Sequence, residues 1–135
     1  MAAYIPYSPA SLPPVTAVDI VVLSGLNPDR VNLYMQAADG ALTVTLEGDA
    51  ADKISQLWRQ LPPGEQSRCH TPPYGVRFRI ADRVVVEASI CWHCSNIFGT
   101  VEEQEMHYEF NVEHPAAKEL FTEMERATSG RQSPQ

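Results

Sequence analysis

All three cysteines and two of the four histidines of this chain fall between residues 69 and 94, in Arg68-Cys69-His70-Thr71-Pro72 and Ile90-Cys91-Trp92-His93-Cys94. Sulfur and imidazole gathered so closely can do four kinds of chemistry. Three thiolates and one imidazole can hold a tetrahedral zinc, with Cys91 and Cys94 at ligand spacing and Cys69 and His70 or His93 completing the shell. Cys69 can bridge Cys91 or Cys94 and leave one thiol free. The thiols can instead be small buried hydrophobes, with His70 and His93 as hydrogen-bonding partners. Finally, Cys-x-x-Cys can be a redox or nucleophilic site. That role favours a helix N-terminus after the motif, and Ser95-Asn96-Ile97-Phe98-Gly99 carries little helix signal. An odd cysteine count argues against a secreted disulfide framework. A reducing cytosol favours free or metal-bound thiols. The four readings stay open at this level.

The second feature is charge. Eight glutamates and one lysine, Lys118, lie between Glu102 and Glu125, and this segment alone accounts for the formal net charge of −7. Phosphates would be repelled by such a surface, so nucleic acid is not expected as a partner. A basic protein is. Glu105, Glu109 and Glu113 fall on one face of an alternating segment, with Glu102 and Glu103 in the loop before it. The plain alternative is a solvated face that aids solubility. His107 and His114 stand isolated among glutamates, which predicts exposed side chains, although Glu105, His107 and Glu109 would share a strand face.

Elements must position these groups. Valine and isoleucine in Val15–Leu23, and alternation in Val31–Gln36 and Ala41–Glu47, predict three strands. Asp49 is placed to cap a helix over Ala50–Leu61, with Ile54, Leu57, Trp58 and Leu61 on one stripe and Pro62-Pro63-Gly64 as its stop. Tyr74–Ile80 and Val84–Ile90 predict a hairpin around Ala81-Asp82-Arg83. Its register pairs Phe78 with Val86, Val76 with Ala88 and Tyr74 with Ile90, and sets Arg77 against Glu87 on the other face. Extended outward, that register brings Cys69 and His70 to the same end of the hairpin as Cys91, His93 and Cys94. Met106–Val112 alternates again, and a last helix starts near His114-Pro115, with Ala117, Leu120, Phe121 and Met124 buried. The expected fold is a single α+β domain, residues 15–128, with a largely antiparallel sheet of five or six strands and two helices on one face. Residues 1–14 read as a proline-stiffened extended arm, loosely attached, and 129–135 as a disordered tail. No apolar run approaches a membrane span and no secretory signal is visible, so the expectation is a cytoplasmic chain.

The segment Arg68 to Phe78, followed by Ala88 to Asn96, resembles small bacterial proteins of uncharacterised role. They share Cys-x-x-Pro, a Gly-hydrophobic-Arg strand and Cys-aromatic-x-Cys closing the next strand. The likeness covers the middle third of the chain, implies that Cys69, Cys91 and Cys94 act together in a bacterial, intracellular setting, and carries no catalytic residues. Gly-rich phosphate loops, Gly-x-Ser-x-Gly and His-Glu-x-x-His are missing from the sequence. The leading functional expectation is therefore non-enzymatic: an immunity- or antitoxin-like inhibitor that neutralises a basic toxin through its acidic surface. The alternative is a small zinc-binding or thiol-redox protein built on Cys69, Cys91, Cys94 and His70.

Overall fold

Alternating apolar side chains on seven consecutive residues give the central hairpin its two faces. In the computed structural model, which describes residues 4–132, strands β3 (Tyr74–Ile80) and β4 (Arg83–Cys91) pair with Tyr74 opposite Ile90, Val76 opposite Ala88, Arg77 opposite Glu87 and Phe78 opposite Val86. Near the turn the register moves by one, so that Arg79 faces Val84 and Ile80 faces Arg83. Val85 is the extra residue, a bulge that buries its own side chain and leaves Val84 39% exposed. The turn therefore holds two residues, Ala81 and Asp82, rather than three.

Around this hairpin lie β1 (Ala17–Val22), β2 (Thr43–Glu47), β5 (Asn96–Val101) and β6 (Gln104–Glu109). The order is β2-β1-β3-β4-β5-β6 and every neighbouring pair is antiparallel. Helices α1 (Gly48–Arg59) and α2 (Pro115–Gln132) pack on each other and across β1 and β2. The inward face of the sheet presents Val18, Ile20, Val76, Phe78, Ala88, Ile90, Ile97 and Met106 to Ile54, Leu57, Trp58, Leu61, Ala117, Leu120 and Met124 of the helical layer. This is the expected α+β domain. The Trp58 and Phe78 rings meet edge to face at 5.0 Å, within the range where aromatic pairs add to simple burial.

The departures from expectation have local causes. Val31–Gln36 is not a strand: it runs through turns into a short 3-10 helix at Gln36–Ala38. Its apolar residues serve a second cluster, in which Tyr34, Met35 and Ala38 cover Val21 and Leu23 on the outer face of β1. Met35 occupies the space a Cβ on Gly75 would fill. Helix α1 starts from Glu47 without a side-chain cap, and Asp49 sits in its first turn, where it favours the helix dipole instead. Helix α2 runs through Ser129 to Gln132, so the expected tail is helical that far, while residues 133–135 lie outside the described residues.

The arm is docked rather than loose, from Tyr4 onward; residues 1–3 lie outside the described residues. Ile5 N–H donates to Glu105 O at 2.8 Å beside the β6 edge, and Leu12 enters the core. Arg59 holds the carbonyls of Leu12 and Pro13, both at 2.9 Å. The tie with the clearest physical reason is Tyr7. Fully buried Trp58 carries an indole N–H that needs an acceptor, and the Tyr7 hydroxyl supplies it at 2.8 Å. Tyr7→Phe should remove that acceptor and lower unfolding free energy by about 1–3 kcal/mol, the penalty of an unpaired buried donor, read as a lower urea midpoint at unchanged slope. An unchanged midpoint would mean that the Tyr7–Trp58 hydrogen bond contributes nothing to the fold.

Candidate functional site

Two covalent neighbours in space come from segments far apart in sequence. Cys69 lies on the loop between α1 and β3; Cys91 ends β4, and Cys94 sits in the turn that leads to β5, since Cys91 pairs with Asn96 across it. Cys69 and Cys94 form a disulfide, with Cα atoms 5.5 Å apart. Cys91 is a free, fully buried thiol. The Cys94 amide donates to Cys91 Sγ at 3.1 Å, and the Thr71 hydroxyl lies 3.7 Å from Cys91 Sγ and 3.9 Å from Cys94 Sγ. The expected zinc set of Cys69, Cys91, Cys94 and His70 is thus brought together, but as a bridge, a thiol and an occupied imidazole. Among the described residues no group of three or more His, Cys, Asp or Glu side chains is arranged to hold a metal ion. His93 points to the exposed side of the turn and takes no part.

His70 follows Cys69 directly and is driven into the outer face of the sheet. Its Nδ1 lies 2.6 Å from Asn96 Oδ1 and its Nε2 2.7 Å from Ser89 Oγ. Asn96 Nδ2 donates to Cys69 O at 2.7 Å, which fixes the amide so that Oδ1 is the atom facing His70. The imidazole therefore donates from Nδ1 to Asn96 and accepts at Nε2 from the Ser89 hydroxyl. Burial pushes its pKa down to about 4, overcoming the Asn96 hydrogen bond, which works in the opposite direction. Ser89–His70–Asn96 has the connectivity of a nucleophile, base and orienter. Yet Ser89 is 2%, His70 5% and Asn96 0% exposed, so the hydroxyl meets no substrate, and a base with so low a pKa removes protons poorly at neutral pH. The trio is a fully satisfied polar pin that fastens the loop to the sheet. Neither Ser89 nor Asn96 stood out in the sequence, where both read as ordinary strand or turn residues.

The acidic residues separate. Glu102 and Glu103 form the exposed two-residue turn between β5 and β6, and Glu102 grips Arg83 through both oxygens at 2.7 and 2.8 Å. Glu105 and Glu109 share the outer face of β6 but are half-buried, against the expectation of an open strand face. Glu105 accepts from Asn32 Nδ2 at 3.0 Å, and Glu109 lies 3.4 Å from His107 Nε2. His107 is likewise half-buried, stacked on Phe98 at 4.4 Å. Glu113 lies beyond the end of β6, 3.5 Å from Lys118. His114 accepts the Ala116 N–H at 3.1 Å and so caps the first turn of α2.

The buried histidine sets a pH dependence. Its folded pKa, about 4, lies below the unfolded value near 6.5, so between those limits the unfolded chain binds the extra proton. The contribution of His70 to stability is complete above pH 6.5 and is eroded as pH falls toward 4, by up to about 3 kcal/mol for the shift involved. Urea midpoints from pH 7 to 4.5 should fall more steeply for the native protein than for His70→Gln. Parallel slopes would show that His70 is not held neutral. No helix among the described residues is long and apolar enough to cross a membrane. No protein-family model, curated protein or solved structure matches the chain.

Proposed function

We propose that this chain is a small thiol–disulfide binding protein in which the Cys69–Cys94 bridge is a redox-sensitive staple. The observation that carries the reading is the convergence of three sulfurs at one end of the hairpin, two of them joined and the third at the first position of a Cys-x-x-Cys turn. Oxidised, the staple clamps residues 69–73 against the β4–β5 turn and shapes the surface beside it. Reduced, the same loop hangs on hydrogen bonds only: those of the His70 ring and Asn96, with Tyr34 Oη donating to His70 O at 3.2 Å and Leu23 N–H to Pro73 O at 2.9 Å. A partner that reads this surface then distinguishes the two states without any reaction at the protein. Bridging residues 25 apart removes about 3.5 kcal/mol of loop-closure freedom from the unfolded chain on the entropic account. A mild reductant should therefore lower unfolding free energy by about 2–4 kcal/mol, while a strong chelator added to the oxidised protein changes nothing. If the chelator destabilises and the reductant does not, a thiolate-bound zinc replaces the staple.

A second reading keeps the immunity- or antitoxin-like inhibitor of a basic toxin. What favours it is the backbone at the β5–β6 turn, where Glu102 and Glu103 have φ of 48° and 70°. Two-residue hairpin turns with both φ values positive favour Asn-Gly, and bulkier side chains there cost about 1 kcal/mol each. Two exposed acidic side chains are thus held where an uncharged pair would be more stable. The double change Glu102→Asn with Glu103→Gly should raise stability by about 1–2 kcal/mol and abolish low-salt capture of a cationic protein from the native cell. Glu105→Gln with Glu109→Gln should leave that capture intact. Loss of capture in the second pair and not the first would move the contact to the β6 face.

A further inference from the structure

We infer that the disulfide is exchangeable within the chain: Cys91 displaces Cys69 from Cys94 and presents Cys69 as the surface thiol. The inference rests on the staple reading above and adds its regulation. Three observations carry it. Cys91 and Cys94 stand at i and i+3, the first ending β4 and the second in the turn that leads to β5. The Cys94 amide and the Thr71 hydroxyl both approach Cys91 Sγ, at 3.1 and 3.7 Å, and that hydroxyl is also 3.9 Å from Cys94 Sγ, so one short neighbourhood holds attacker and target. Finally, burial is asymmetric: Cys91 and Cys94 are fully buried, whereas Cys69 is exposed and its sulfur lies 3.6 Å from the hydroxyl of half-buried Ser67, free to leave toward solvent.

The step is balanced without an external oxidant. The Cys91 sulfur attacks Cys94 Sγ as its proton passes to the Thr71 hydroxyl; the Cys91–Cys94 bond forms as the Cys69–Cys94 bond breaks, and Cys69 leaves as the thiolate and takes up one proton, so that the proton count is unchanged. One disulfide and one thiol are present before and after. What changes is which loop is tied. The product bridge closes only the hairpin turn, and residues 69–73 lose their covalent hold while His70 keeps its hydrogen bonds to Ser89 and Asn96. An exposed thiol then replaces a buried one, and the chain becomes open to modification at Cys69.

The test uses the unaltered, oxidised protein and an alkylating reagent in native buffer without reductant, followed by disulfide mapping of the digest by mass spectrometry. One label per chain on Cys69, with Cys91 joined to Cys94, is the expected result, because irreversible capture drains the exchange. The Cys91→Ser variant, which has no attacker, should take no label. One label on Cys91 with Cys69–Cys94 intact overturns the exchange, as does a chain that takes no label until unfolded; both leave the staple standing. Three labels per chain would instead remove the bridge itself, and with it the reading on which this inference rests.

Discussion

The pairing of β3 with β4 is the constraint on which the other features depend. A side-chain period of two means that one register decides which residues meet the helices and which meet the outer surface. Here the inner set is wholly apolar, and the outer set carries Arg77 against Glu87 at 2.6 Å and, one strand over, Arg79 against Asp19 at 2.8 Å. Burial alone would disfavour the Asp19 carboxylate, but the Arg79 guanidinium and the Thr45 hydroxyl outweigh it and hold its pKa below the ordinary range. A slip of β4 by one residue would turn Glu87 into the core beside Phe78 and send Val86 and Ala88 outward. The same register delivers the end of β4 to the loop that carries Cys69, so the sulfur cluster is a consequence of the hairpin rather than an independent motif.

Two of that loop's ties differ in kind. The covalent tie depends on redox state and is indifferent to pH over the neutral range. The hydrogen-bonded tie through Asn96, His70 and Ser89 depends on a neutral imidazole and is indifferent to redox state. Both hold neighbouring residues, Cys69 and His70, to the same corner of the sheet. Neither is needed to close the main core, whose inner face is built from other residues. Changes at either tie therefore act first on the loop and its surroundings; the disulfide reaches global stability through the denatured chain, and His70 through the cost of charging it in the folded state.

The legible part of this fold is the part written in short-range pattern. The hairpin register could be read because alternation and the Arg77–Glu87 pair agree, and α1 could be read because four apolar residues recur at helical spacing. Strand β5 was hidden by Gly99 in its middle, which weakens any strand pattern. The glycine is there because a Cβ would meet the Glu87 carbonyl oxygen and the Ala88 Cα of the neighbouring strand. Val31–Gln36 misleads in the opposite sense: its alternation is real, but it feeds a cluster over β1 instead of a ladder. At the site, convergence of the cysteines followed from the register, whereas the choice of Cys69–Cys94 over Cys69–Cys91 did not. The partners of His70 lie 19 and 26 residues away and have no sequence signature at all. Charge was legible in amount and illegible in placement, since side-chain partners such as Arg83 for Glu102 and Asn32 for Glu105 come from other elements.

The outer face of the sheet is unequal from side to side. Across β1, β3 and β4 each charged group named above meets an opposite charge or a hydroxyl. Across β6 the matching is partial: Glu105 accepts from Asn32, whereas Asn32 Oδ1, His107 Nε2 and Glu109 Oε2 are shielded from solvent without a hydrogen bond among the described residues, the last two standing 3.4 Å apart. Each such group costs roughly 1–3 kcal/mol relative to a solvated one. The cover itself is light, consisting of Asn32 and the Tyr4 ring at 5.9 Å from Phe98 and His107, with one backbone bond from Ile5. Lifting that cover would expose these three atoms to water at the loss of the Asn32–Glu105 and Ile5–Glu105 hydrogen bonds. The sulfur cluster lies at the β4–β5 turn, on the strand pair next to that edge, and the strand between them, β5, carries Asn96 of the pin. One strand, β5, is therefore shared by the β6 edge and the stapled loop, so the register of β5 sets the position of both.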